Sequence, residues 1–81
     1  MERFFFDSTE GERFVPDDVG VVLAGIDEAE REATLAAAEI CRELLLKVGP
    51  TPVTISVRDE SGKTLFTATA CLLTQRLDDQ H

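Results

Sequence analysis

Tryptophan and tyrosine are absent from this 81-residue chain, histidine occurs once, and lysine occurs only at Lys47 and Lys63. Each scarcity excludes a class of function. With two lysines and six scattered arginines against 16 acids, the chain has no cluster of cations with which to hold a polyphosphate backbone, so direct binding of nucleic acid is not expected. The same shortage disfavours an anionic membrane surface. The single histidine, His81, is the last residue, where a chain usually frays, and is a poor general base. Cys41 and Cys71 form neither a Cys-x-x-Cys pair nor a disulfide framework. The chain also lacks a Gly-rich phosphate loop, a G-x-S-x-G elbow and a histidine cluster. No apolar run approaches the roughly 18–20 residues that span a bilayer. The "RFFF" near the start meets Asp7 before it can become the apolar segment of a signal peptide. No enzyme activity, cofactor or metal is expected, and the default location is the reducing cytoplasm.

What is present is acidity, with a formal charge of −8, and an ordinary share of apolar residues, 43%. At this length one domain is expected, covering 1–81. A core of such size rarely supplies more than about 3–5 kcal/mol of net stability, which favours association with a partner or with itself.

The segment "IDEAEREATLAAAEICRELLLKVGP" has the pattern of a helix over 27–48. Asp27, with Glu30 three residues later, is expected to form a capping box. Gly49-Pro50 is the stop, and Lys47 suits the negative end of the helix dipole. At roughly 100° per residue, Ala29, Ala33, Ala36, Ala37, Ile40, Cys41, Leu44 and Val48 share the face that should meet a sheet. After Pro52, "VTISVR" alternates as a strand over 53–58, "DESGK" is a glycine turn, and "TLFTATACL" returns as a strand over 64–72. At the start, 3–7 reads as a strand with Phe4 and Phe6 turned to the core and Phe5 away from it. A short strand over 12–16 ends at Pro16, "VVLAG" is a brief extended approach to the helix, and 74–81 is an exposed tail. The expected fold is α+β in two layers, β-β-α-β-β, with one long helix on one face of a mainly antiparallel four-stranded sheet.

The aromatic strand Phe4-Phe5-Phe6, the acidic turn Asp17-Asp18-Val19-Gly20, "GIDEAEREA" at 25–33 and "VRDESGKTLFT" at 57–67 together resemble a family of small bacterial domains of unknown function. The resemblance covers positions 3 to about 70. It departs at Gly25 and in the longer end "ATACLLTQRLDDQH". It implies the fold above and no activity.

Two features stand as candidate sites. Asp7, Glu10, Glu12, Asp17 and Asp18 could cluster and hold Ca²⁺ or Mg²⁺, though the spacing of a calcium loop is missing and a solvated turn explains Asp17 and Asp18. The other is a possible interaction surface. Leu35, Ala38, Leu45 and Leu46 stand on the outer face of the helix beside Arg42, and Leu35 and Leu46 lie about three turns apart on nearly one azimuth. Phe5 and Leu65 would add a small apolar patch on the uncovered sheet face if their strands adjoin. The competing expectation is that 72–77 folds back over Leu46. The favoured reading is a non-catalytic module that forms a homodimer or binds another protein. The alternatives are a regulator of the toxin–antitoxin or nucleic-acid-associated type, and a metal or small-ligand binder at the acidic turn.

Overall fold

Three consecutive phenylalanines open the first strand, and their alternation decides which way it faces. In the computed structural model, which describes residues 1–78, β1 (Glu2–Glu10) turns Phe4 and Phe6 toward the helix, with Phe4 almost fully buried, and Phe5 to the other side. The remaining strands are β2 (Arg13–Val15), β3 (Val21–Leu23), β4 (Val53–Arg58) and β5 (Thr64–Ala70), and the helix α1 spans Ile26–Lys47. All strand pairs are antiparallel, in the order β2-β1-β4-β5, with β3 also on β1. The α+β, two-layer arrangement stands, and the sheet gains a fifth short strand from "VVLAG". His81 lies outside the described residues.

The helix lies mainly over β4 and β5. Ala29, Ala33, Ala37 and Cys41 meet Phe4, Val53, Ile55 and Val57, and this set is the buried core. Alanines on the contacting stripe let the helix backbone approach the sheet closely, and Ile40 and Leu44 fill the wider space at its far end. No described helix is long and apolar enough to cross a membrane.

Five local expectations need correction. The helix cap is Gly25, extended and without a side-chain cap bond, and not Asp27. The third helical residue, Glu28, reaches back instead, its Oε1 accepting the Ala24 N–H at 3.0 Å. That moves Asp27 into the first turn, where its charge still suits the dipole. At the other end Val48 is 74% exposed, because the chain leaves helical geometry there while the N–H groups of Val48 and Gly49 both turn back to the Leu44 carbonyl. β5 stops at Ala70 and not at 72: Ala70 pairs with Val53, the first residue of β4, so nothing remains for Cys71 or Leu72 to bond to. The 71–78 segment is irregular and exposed and does not cover Leu46, which is 72% exposed.

The last correction concerns Leu65. Val57 pairs with Phe66 and Arg58 with Thr64, which leaves Leu65 as the extra residue of a bulge. A bulge breaks strict alternation. Leu65 packs against the core cluster together with Phe66, and β4 separates its strand from Phe5. The expected Phe5–Leu65 patch does not form.

Candidate functional site: a carboxylate clamp and an exposed helix face

The edge of β1 is served by two short strands in place of one. β2 pairs with Ser8–Glu10 and β3 with Glu2–Phe4, and the five residues 16–20 lie opposite the three residues 5–7. The strand order alone would leave the Phe6 N–H without a partner. Asp17 supplies one: its Oδ2 accepts that N–H at 3.0 Å, and its Oδ1 accepts those of Val19 and Gly20, each at 3.0 Å. The side chain thus closes the gap in the ladder and folds its own turn.

Gly20 is required at the end of this turn. Its φ is +76°, and a Cβ there would come within 2.9 Å of Phe5 Cε2 and 3.0 Å of the Phe4 carbonyl oxygen. The acidic D-x-x-G element therefore has a structural account: an acid to replace a missing strand bond, and a glycine to let the loop lie on β1.

Asp7 stands beside Asp17 on the uncovered sheet face, and Arg58 pairs with the Asp7 carboxylate while also reaching the Asp17 main chain. Arg58 Nε donates to Asp7 Oδ2 at 2.8 Å, and its Nη2 donates to the Asp17 carbonyl at 2.7 Å. The Asp17 N–H donates to Asp7 Oδ1 at 2.8 Å. The guanidinium also lies over the Phe5 ring, 4.6 Å from its centroid, a cation–π contact. Burial acts to raise the Asp7 carboxyl, but the hydrogen bonds from Arg58 and the Asp17 N–H outweigh it and hold the group below its ordinary 3.8. Asp17 behaves alike: burial opposes ionisation, and the N–H groups of Phe6, Gly20 and Val19 overcome it.

The acids named as a possible cation site are thus separated by role. Asp7 and Asp17 come together, and Arg58 with four backbone N–H groups occupies their oxygens. Glu10 faces Arg13 at 3.9 Å, while Glu12 and Asp18 are exposed. Among the described residues, no three His, Cys, Asp or Glu side chains converge as metal ligands would. Sequence reasoning placed Asp17 in a turn and Arg58 at the end of an alternating strand. It missed their connection, because no local signal joins residues 41 positions apart.

The cysteines stand apart from each other. Cys41 is buried, with its Sγ 3.6 Å from the Thr51 carbonyl, and Cys71 is exposed; both are free thiols. A depression of about 180 Å³ between the helix and β3, lined by Phe6, Val21, Leu23, Glu32 and Ala36, is smaller than the pockets of roughly 300 Å³ or more that hold small molecules.

The outer face of α1 differs from all of this. Leu35 is 50% exposed, Leu45 38% and Leu46 72%, and Ala38, Glu39 and Arg42 are exposed among them. A model of a family described as a domain of unknown function (DUF6894) matches residues 3–71, and the chain belongs to that family. No curated protein and no solved structure matches it.

Proposed function

We propose that this member of the DUF6894 family is a non-catalytic cytoplasmic module that works by contact, and that the contact surface is the outer face of α1. The observation that supports the reading is the row Leu35, Leu45 and Leu46. The core closes without these side chains, since Ala29, Ala33, Ala37 and Cys41 already meet the sheet on the opposite side of the same helix. One exposed leucine needs no explanation, but three within twelve residues of one helix, with Ala38 between them, form a patch that a partner would dehydrate. The most structured acids, Asp7 and Asp17, fit this reading as fold-holding groups, because their oxygens are taken by donors from the chain itself. Two free thiols suit a reducing compartment.

The test is gel filtration of an extract of the protein's own cells, followed with an antibody. The protein should elute well above its 8.9 kDa monomer mass, and Leu35→Glu with Leu46→Glu should move it to the monomer position. Elution of both forms at the monomer position overturns the reading.

A further inference from the structure

From Leu35 onward the exposed stripe of α1 reads Leu35, Glu39, Arg42, Leu46, with steps of four, three and four residues. That spacing keeps all four side chains on one narrow seam, the repeat by which paired helices meet. The seam is complementary to itself when a second copy lies antiparallel. Leu35 then faces Leu46 of the second copy, and Leu46 faces its Leu35. Glu39 faces its Arg42, and Arg42 its Glu39. Ala38 and Leu45 flank the seam on one side and face Leu45 and Ala38 of the other copy, a small residue against a large one. We infer that the chain pairs with a second copy of itself through this seam, about a twofold axis between Glu39 and Arg42. The inference rests on the contact-face reading above and names its occupant.

Charge sets the direction of the pair. Every charged residue from 35 to 47 is one of Glu39, Arg42, Glu43 and Lys47, so this half of the helix is neutral in a chain of net charge −8. The other half carries Asp27, Glu28, Glu30 and Glu32 against Arg31 alone. Parallel pairing would set the two acidic halves side by side. Antiparallel pairing over 35–46 places them at opposite ends, apart, and opposes the two helix dipoles as well. The seam covers about 16 Å of helix at 1.5 Å per residue, a small contact, so the dimer belongs with weak, reversible interfaces.

The test is sedimentation equilibrium of the purified chain with reductant present, which excludes a disulfide through Cys71, from micromolar to millimolar concentration. The mass should rise from 8.9 kDa toward twice that value. Leu35→Glu with Leu46→Glu should weaken the association at least about tenfold. E39R and R42E should each stay monomeric, because each sets like charges across the axis. Mixing the two should give a heterodimer, and E39R/R42E in one chain should restore the homodimer. All four positions are exposed, and circular dichroism should find every variant folded. A wild type that remains monomeric at millimolar concentration overturns the inference. So does a dimer that survives Leu35→Glu with Leu46→Glu, or an E39R/R42E mixture and double variant that stay monomeric. If the purified chain is a monomer while the double-glutamate variant alone loses a complex in extracts, the self-pairing is wrong and the contact face stands. If the extract too holds only monomer, both fall.

Discussion

Beneath the helix, Phe4, Val53, Ile55 and Val57 exclude water by packing against a row of alanines. On the opposite side of the same sheet, directed hydrogen bonds and one ring contact hold Phe5, Asp7, Asp17 and Arg58 together. The inner side spreads its free energy over many weak contacts, none of which depends on ionisation. The outer side concentrates it in a few oxygens that must stay charged. Two faces of one β-strand, one residue out of phase, therefore respond to different perturbations.

The largest expected effect is on the inner side. Phe4→Ala should cost about 3–5 kcal/mol, close to the whole stability of a domain this size, and leave much of the chain unfolded in a urea titration followed by circular dichroism. On the outer side Asp17→Ala should cost about 2–4 kcal/mol, because it strands the Phe6 N–H and frees the turn at once, and Asp17→Asn should recover part of the loss. A cost below about 0.5 kcal/mol would show that water replaces the carboxylate and would erase the contrast between the faces. Gly20→Ala should follow at about 1–3 kcal/mol, from positive φ and the contact with Phe5.

The smallest effect sharpens the comparison most. Asp7 and Asp17 ionise in the folded chain below their ordinary value of 3.8. Between the lowered and ordinary values the unfolded chain binds more protons, so stability falls as the solution is acidified. Their contribution is complete above about pH 5 and disappears as pH drops through the folded-state values. In urea midpoints measured from pH 7 to pH 2.5, the gap between wild type and Asp17→Ala should narrow below pH 4, while that between wild type and Ile55→Val stays constant. Equal behaviour of the two gaps would mean that the faces do not differ in kind.

The inner side was legible because packing repeats along the chain. Val53, Ile55 and Val57 alternate, and the alanines recur at helical spacing, so a period of two and a period of 3.6 place them without reference to distant residues. The exposed leucines were legible for the same reason, as apolar residues on the wrong azimuth. What escaped had no period. β3 is three residues long, too short for a pattern. The clamp joins the Asp17 side chain to a backbone N–H eleven residues away and the Asp17 carbonyl to an arginine much further along, and neither partner has a sequence signature. Residue preference chose Asp27 as the cap, while Gly25 with the reach of Glu28 served as well. Leu65 was assigned by parity, and a bulge reverses parity. In the helix seam, Leu35, Arg42 and Leu46 were visible singly, while Glu39 acquires meaning only when the helix is laid against a copy.

The Asp17 carboxylate has a consequence for how the chain is threaded. Sliding β1 by two positions against its neighbours would return every side chain to the side it came from, so greasiness alone offers little resistance to the error. The acid on Phe6 acts as a cleat against that slide. Its hydrogen-bonding partners Phe6, Val19 and Gly20 are all synthesised before β4. The alignment of the first strand can thus be settled locally, and Arg58, arriving last, closes over a choice already made.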